Sequence, residues 1–304
     1  MTAPLSCRLP ALLVTSLLLA GCATSQTPAT QPAVAADCPD DAGVMEGWDT
    51  PAPAQTLHGN VHFVGTCGIS AVLLTSPAGH ILIDGGTTAG APAIAASIQS
   101  LGYRLQDVRY LLLSHEHEDH AGGLAALQQA SGAVVVARPA AVATLRSGTV
   151  PRDDPQFGQL DDFQAVKAVQ TIEHGQTLQL GPLILTAHAT PGHAPGSTSW
   201  SWQSCADGLC LDMVYADSLS AAAAPGYRYS DHPDRLAAFR TSLQTVAALP
   251  CDVLITPHPL ASDLFARMAG NAGLIDPQAC QRYAAAAHTA LQARLAAEVA
   301  TGTP

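Results

Sequence analysis

The sequence predicts an α/β fold of the αββα sandwich type, in which two β-sheets pack face to face and helices cover both outer surfaces. Two observations predict it. Short apolar runs of strand length alternate with longer helix-like segments, and the order strands, helices, strands, helices occurs twice along the 304 residues. Gly and Pro punctuate the short runs, as is typical of strands joined by tight turns.

The first half of the chain supplies one sheet and its covering helices. Strands are predicted at 60–65, 70–75, 80–83, 108–113 and 134–136, because these runs are apolar and bounded by turn residues. Helices are predicted at 88–101, after the polar segment 114–120 as far as Leu127, and at 139–145, where Pro139 is tolerated in a first turn. Residues 152–160 read as a loop.

The second half repeats the pattern. Strands are predicted at 169–171, 183–190, 197–203, 213–216 and 252–256, and helices at 235–248 and, rich in alanine, at 280–299. Each half would place its helices on the outer face of its own sheet. Residues 37–304 are therefore expected to form one two-layered core domain.

Composition excludes several classes of protein. Apolar residues make up 48% and charged residues 12%, which is too few charges for a coiled coil or a charge-driven disordered chain. The net charge is −11 and Lys167 is the only lysine, so a nucleic-acid partner is not expected.

The N-terminus resembles an export signal. Arg8 precedes the apolar run 11–19, and Leu19-Ala20-Gly21-Cys22 resembles a bacterial lipobox, in which the cysteine is lipidated. Residues 1–22 are thus expected to be a signal of the lipoprotein type and 23–36 a flexible tether. The expected location is the periplasm, with the protein anchored to the outer membrane through a lipid on Cys22. Ordinary signal-peptidase cleavage nearby is the alternative.

Six cysteines remain after the signal, and an oxidising compartment favours disulfides between them. They are Cys38, Cys67, Cys205, Cys210, Cys251 and Cys280. The sequence alone does not fix the pairing, and sequential pairing is the working expectation. The rival interpretation, a zinc ribbon built on Cys205 and Cys210, lacks a second thiol pair of matching spacing.

The polar segment after the strand 108–113 has the pattern H-x-H-x-D-H. In an extended segment alternate side chains point the same way, so His115 and His117 can hold one metal ion together. Asp119 and His120, at the start of the next helix, can turn toward a second ion. Imidazole and carboxylate ligands suit zinc, although manganese or iron would also fit.

Further ligands are expected from loops that follow other strands. His193 lies in Thr190-Pro191-Gly192-His193 and His258 in Thr256-Pro257-His258-Pro259, where the turn residues can aim a side chain outward from a strand end. Asp84 also ends a strand and could orient a ligand, or could simply cap a turn. Together these residues predict a dinuclear metal site at the edge of the two sheets, which is the site of a hydrolase.

The motif, His193 and His258 resemble the metallo-β-lactamase superfamily over most of the chain after the tether. The segments 215–220 (YADSLS) and 254–259 (LITPHP) resemble class B β-lactamases of the third subclass. The cysteine pairs, 64–70 (VGTCGIS) and 154–157 (DPQF) are similar to the branch of that subclass typified by the Adelaide imipenemase.

The resemblance implies one Zn²⁺ held by His115, His117 and His193, and another held by Asp119, His120 and His258. It implies hydrolysis of the β-lactam amide by a hydroxide between the two metals, which Asp119 orients as the catalytic residue, and hence antibiotic resistance. It also implies that substrate is bound by three further residues, namely Ser218, Ser220 and Gln156. Partners are then small β-lactams, and a monomer is expected.

Other functions remain open at this point. A serine β-lactamase is excluded, because Lys167 has Gln164 in place of the serine of S-x-x-K. A thioesterase or lactonase of the same superfamily would share the motif and usually adds a late bridging carboxylate, for which Asp217 is a candidate. A non-catalytic zinc-binding lipoprotein is the third alternative.

Overall fold

Two mixed β-sheets form the centre of the structure, a computed structural model that describes Met1, Cys38, residues 45–270 and residues 273–301. The first sheet has seven strands in chain order: β1 (Gln55–His58), β2 (Val61–Phe63), β3 (Val72–Leu74), β4 (His80–Ile83), β5 (Val108–Leu112), β6 (Val134–Ala137) and β7 (Val169–Thr171). Strands β1 to β4 pair antiparallel, and β4 to β7 pair parallel. The carboxyl ends of β4 and β5 therefore meet at one edge.

The second sheet has the order β12-β11-β10-β9-β8. Its strands are β8 (Thr177–Leu180), β9 (Leu183–Ala189), β10 (Thr198–Ala206), β11 (Leu209–Tyr215) and β12 (Val253–Ile255). Strands β8 to β11 pair antiparallel, whereas β11 and β12 are parallel. It follows that β9, β11 and β12 run in the same direction and end at the same edge.

Helices cover the outer face of each sheet. Along the chain they are α1 (Ala91–Ser100), α2 (Glu118–Ala121), α3 (Leu124–Ser131), α4 (Val142–Ser147), α5 (Pro233–Ala248), α6 (Leu264–Met268) and α7 (Ala279–Thr301). Apolar residues of α1, α3 and α4 form one cluster with the first sheet. Residues of α5 and α7 form another with the second sheet. The short helix α6 is the exception, because its Leu264 and Met268 join the cluster between the two sheets.

The layers follow from the two-residue period of a strand. In β3, Val72 and Leu74 point into the cluster between the two sheets, which also contains Trp200 and Tyr215. Leu73, between them in sequence, points to the helices on the outside. The fold is thus the predicted αββα sandwich.

Several elements differ from the prediction. The strands β1 and β8 and the short helix α6 were not predicted. Strand β7 was assigned to the second half, but it pairs with β6 and forms the edge of the first sheet. The single helix predicted after the polar segment is two, α2 and α3, separated by Gly122 and Gly123. A side chain at Gly123 would lie 2.2 Å from the carbonyl oxygen of Gly85, so the chain passes too close to the 84–86 turn for other residues.

Three disulfides join Cys38 to Cys67, Cys205 to Cys210 and Cys251 to Cys280, which matches sequential pairing and is incompatible with the zinc-ribbon alternative. The predicted signal at 1–22, the lipid on Cys22 and the tether at 23–36 lie outside the described residues apart from Met1. Among the helices described, none combines the length and the apolar character needed to cross a membrane.

Candidate metal centre

All the predicted ligands follow the carboxyl end of a strand. His115 and His117 follow β5, His193 follows β9 and His258 follows β12. The segment after β5 is held by Asp84 at the end of the neighbouring strand β4. Asp84 accepts hydrogen bonds from the backbone nitrogen (2.6 Å) and hydroxyl (2.8 Å) of Ser114.

Asp84 has a backbone conformation that few residues adopt. Its φ of +62° lies in the left-handed region, which costs a residue other than glycine on the order of 1 kcal/mol. The conformation places its carboxylate against three residues at once, because Oδ2 also lies 2.8 Å from the hydroxyl of Tyr215 and 3.1 Å from Nδ1 of His120. The structure therefore places Asp84 beside His120, one of the predicted ligands.

The first cluster consists of His115, His117 and His193, all buried. One ring nitrogen from each lies within 4.8 Å of the others. The ring centroid of His115 is 4.6 Å from those of both His117 and His193. Nε2 of His115 is buried and has no hydrogen-bond partner, which is costly unless another ligand occupies that face of the ring.

The second cluster consists of Asp119, His120 and His258. Oδ2 of Asp119 lies 3.1 Å from Nε2 of His120 and 3.3 Å from Nε2 of His258. Ligand atoms of His115, Asp119 and His120 also fall within 4.8 Å of one another, so the two clusters are adjacent. The structure thus brings together all six predicted ligands.

Each histidine presents its other nitrogen to an oxygen acceptor. Nδ1 of His115 lies 2.8 Å from Oδ1 of Asp217, and Nε2 of His117 lies 3.1 Å from Oδ2 of Asp154. Nδ1 of His193 and of His258 each lie 3.1 Å from a backbone carbonyl, those of Ser220 and Gly68. Nδ1 of His120 faces Asp84, as described above. An oxygen of this kind fixes the ring and keeps the opposite nitrogen available as a ligand.

Burial and mutual repulsion disfavour protonation in the first cluster. Burial, helped by the neighbouring imidazoles of His120 and His193, holds the pKa of His115 well below its ordinary value. Burial and the proximity of His117 lower the pKa of His193 to about 3. Burial would also lower the pKa of His120, but the carboxylates of Asp119 and Asp84 outweigh it and raise that pKa to about 10. His115 and His193 therefore present neutral lone pairs, whereas the carboxylates beside His120 favour a cation.

These donors fit a pair of divalent metal ions. The ligand atoms are imidazole nitrogens and one carboxylate, the set that suits zinc and, less specifically, manganese or iron. The orphaned nitrogen of His115 and the acceptor behind every imidazole are what a metal site requires. Three protein ligands for each ion leave positions for water and substrate.

Two of the three predicted substrate-binding residues lie beside the first cluster. The amide nitrogen of Gln156 is 3.3 Å from Nδ1 of His117 and 3.4 Å from Nε2 of His193. The hydroxyl of Ser220 is 2.9 Å from Nδ1 of His193. Ser218, two residues earlier, is 7% exposed. Ser218 and Ser220 follow β11, and Gln156 lies in the loop between α4 and β7.

Two residues behind the ligands were missed from the sequence. Asp217 had been considered only as a bridging ligand, but its Oδ1 contacts His115 on the side of the ring opposite Nε2. Asp154 is buried and orients His117 while also accepting a hydrogen bond from the backbone of Gln156 at 2.8 Å. Asp154 belongs to the segment 154–157, but no sequence pattern connects it with His117, which lies 37 residues earlier.

The sequence profile of the metallo-beta-lactamase superfamily matches residues 64–258. The chain belongs to this superfamily. The matched range begins directly after β2 and ends at His258, so it contains all six predicted ligands. The protein is thus a hydrolase of the metallo-β-lactamase superfamily, and its histidine and aspartate side chains form groups that could hold a metal ion.

Solved structures of the superfamily are similar over nearly their whole length. The metallo-β-lactamase MIM-1 from Novosphingobium pentaromativorans is 46% identical, with a TM-score of 0.86 over 89% of this chain and 99% of that one. MEM-A1, a subclass B3 metallo-β-lactamase from a soil metagenome library, is 47% identical, with a TM-score of 0.81 over 84% and 99%.

Curated sequence relatives are more distant. A hydroxyacylglutathione hydrolase of Acidiphilium cryptum is 30% identical over 70% of this chain and 76% of its own. Across the first three curated relatives, the chain spans only 30%, 51% and 47% of their lengths. The superfamily therefore includes enzymes of different substrate classes among the relatives of this chain.

Proposed function

We propose that the protein is a subclass B3 metallo-β-lactamase, which hydrolyses the amide bond of penicillins, cephalosporins and carbapenems with two Zn²⁺ bound. The observation that carries the proposal is the orientation of Asp217. Its carboxylate supports Nδ1 of His115 from behind, with Ser218 directly after it. A thioesterase of this superfamily would instead use a late aspartate to bridge the two metals.

The metal would be held by His115, His117 and His193 at one position and by Asp119, His120 and His258 at the other. Zinc bound there would polarise the β-lactam carbonyl and lower the pKa of water to about 7. Asp119 lies where the two clusters meet, so its carboxylate is placed to orient the attacking water. It can accept the proton of that water and deliver it to the ring nitrogen when the C–N bond breaks.

The remaining residues bind and orient the substrate. β-Lactams carry a carboxylate beside the ring, and hydroxyl groups of Ser218 and Ser220 would donate hydrogen bonds to it. Gln156 lies over the first cluster, where it can contact the substrate from the opposite side. No acyl-enzyme is needed, because water attacks the carbonyl carbon directly.

Thioester hydrolysis is the second candidate, since the curated relatives include hydroxyacylglutathione hydrolases. The purified chain would be assayed with a carbapenem, a chromogenic cephalosporin, a hydroxyacylglutathione thioester and a lactone. The proposal predicts kcat/KM for the β-lactams at least about 100-fold above that for the thioester, because about 2.7 kcal/mol of transition-state binding comes from contacts that only the β-lactam makes. Preference for the thioester or lactone would overturn it.

A Ser218→Ala, Ser220→Ala variant tests whether these two serines bind the substrate carboxylate. Its KM for the cephalosporin should rise, because the substrate carboxylate loses two donors. Its activity on a lactone that carries no carboxylate should stay unchanged. Equal losses on both substrates would argue against a carboxylate site at these serines.

Export, lipidation of Cys22, a periplasmic location and a monomeric state belong to the same proposal, as does membership of the branch of the subclass typified by the Adelaide imipenemase. Mass spectrometry of the protein recovered from cell membranes tests the first of these. A diacylglyceryl group on Cys22 is expected, and an unmodified N-terminus elsewhere would contradict lipidation.

A further inference from the structure

A tyrosine on the C-terminal helix holds the segment that carries Ser218. The hydroxyl of Tyr283, on α7, donates a hydrogen bond to the carbonyl oxygen of Asp217 at 3.1 Å. The same hydroxyl accepts a hydrogen bond from the backbone nitrogen of Leu219, also at 3.1 Å. One oxygen atom thus bonds the backbone on both sides of Ser218.

Packing reinforces these two bonds. The side chain of Leu219 is 4% exposed and belongs to the apolar cluster that includes Ala284 and Ala287 of α7. Within the segment, the side chain of Asp217 supports His115 and the hydroxyl of Ser220 contacts His193. The segment 217–220 is therefore fixed to α7 on one side and to the first histidine cluster on the other.

The helix is itself anchored close to Tyr283. Cys280, one turn earlier, is bonded to Cys251 at the start of the loop that leads into β12. Near the other end of α7, Glu298 accepts hydrogen bonds from the backbone nitrogens of Tyr229 and Ser230, at 3.0 and 2.9 Å. A rigid helix is a suitable support for a residue that must hold a loop in place.

We propose that Tyr283 is a positioning residue for recognition of the substrate carboxylate. It holds the peptide units around Ser218 so that the hydroxyls of Ser218 and Ser220 point to one anion. This role rests on the proposed function of the two serines. The acceptor atoms of His115 and His193, which are Oδ1 of Asp217 and the carbonyl oxygen of Ser220, do not themselves bond the Tyr283 hydroxyl. Removing that hydroxyl should therefore disturb the carboxylate site more than metal binding.

The change Tyr283→Phe removes the hydroxyl and keeps the ring. Two thiols serve as probes of the zinc-loaded protein, mercaptoacetate, which carries a carboxylate, and 2-mercaptoethanol, which does not. We expect the variant to bind mercaptoacetate about 10-fold more weakly, the loss typical of one displaced charged hydrogen bond, and 2-mercaptoethanol unchanged. Zinc content should remain two per chain. Tyr110→Phe, in the first sheet, is the matched control and should change neither affinity.

An equal loss of affinity for both thiols, or no loss for either, would overturn the proposal. A variant that loses zinc or fails to fold would also contradict it, because Tyr283 would then have a general structural role. In the Ser218→Ala, Ser220→Ala background, Tyr283→Phe should have no further effect on mercaptoacetate. The thiol comparison needs no turnover, so it remains decisive even if β-lactams prove not to be substrates. With β-lactams, KM should rise about 10-fold while kcat changes little.

Discussion

Acceptors behind the histidines distinguish this centre from a histidine-rich surface. His115 illustrates the arrangement, since one nitrogen faces Asp217 at 2.8 Å and the other is buried without a partner. A ring fixed in this way loses little freedom when it binds an ion, which is why the groups behind metal ligands contribute to affinity. Asp217 and Asp154 are thus as much a part of the centre as the ligands they orient.

Removing the carboxylate of Asp217 should weaken metal binding. Asp217→Ala leaves Nδ1 of His115 without its acceptor, so we expect zinc affinity to fall roughly 10- to 100-fold. Competition with a chromophoric chelator measures the affinity. Asp234→Ala, an exposed residue in the first turn of α5, is the control and should bind zinc as the unmodified chain does. Equal affinities for both variants would contradict the assignment of Asp217.

A buried histidine in the first sheet lies outside the metal centre. His62 is 5% exposed on β2, with Nδ1 2.9 Å from the hydroxyl of Thr56. Burial, with a smaller effect from nearby His80, lowers the pKa of His62 from 6.5 to about 4. The unfolded chain therefore takes up a proton near pH 6.5 that the folded chain does not accept until near pH 4. Stability from this group is complete above pH 6.5 and is lost as the pH falls toward 4.

The effect of His62 is measurable by urea unfolding at pH 7.5 and pH 4.5. The pKa shift corresponds to roughly 3 kcal/mol in full, so the free energy of unfolding should fall by about 2 kcal/mol more for the unmodified chain than for His62→Gln. His288→Gln, an exposed histidine on α7, should behave as the unmodified chain does. Parallel losses in all three proteins would show that His62 does not carry this pH dependence.

At the scale of elements, strand ends place the chemistry. Strands β4 and β5 end at one edge, and β9, β11 and β12 end at one edge of the other sheet, so five loops bring their residues together. The sequence predicts these positions at strand ends where a strand is followed by a motif, as at His115 and His193. It could not predict β1 or β8, because β1 is partly exposed along its length and β8 is short and polar.

The sequence also does not predict contacts between segments that lie far apart in the chain. Strand β7 belongs to the first sheet because its residues pair with Val135 to Ala137, a fact that its own composition does not contain. Likewise, Asp154 and Tyr283 act through atoms of residues 37 and 66 positions away. Such partners depend on the packing of the two halves and carry no local pattern.

The disulfides should differ in their contribution to stability. The Cys251–Cys280 bond closes a separation of 29 residues and anchors α7, and the chain-entropy estimate for such a loop is about 3 to 4 kcal/mol. Cys205 and Cys210 face each other in the β10–β11 pairing, which already holds them close, so their bond should contribute less. Urea unfolding of the two double-alanine variants makes the comparison, and an equal or larger loss for Cys205→Ala, Cys210→Ala would contradict it.

At the scale of the molecule, the two sheets and their helices serve as a rigid support for one edge. The core between the sheets is apolar, and Trp200 within it donates a hydrogen bond to the carbonyl oxygen of Leu113, directly before the ligand segment. The fold and the superfamily agree with the sequence prediction, and the six predicted ligands lie close together. Preference among substrates depends on loops at that edge, which explains why one fold includes β-lactamases and thioesterases.

Zinc titration of metal-free protein, with hydrolysis of a carbapenem followed at each addition, tests whether two zinc ions support β-lactam hydrolysis. We expect no turnover without zinc, a rise that saturates at two ions per chain, loss with a chelator and recovery when zinc is restored. His115→Ala should bind less zinc and remain inactive throughout. Two zinc ions bound with no turnover of either a carbapenem or a cephalosporin would contradict the proposed β-lactamase activity and leave only the metal site.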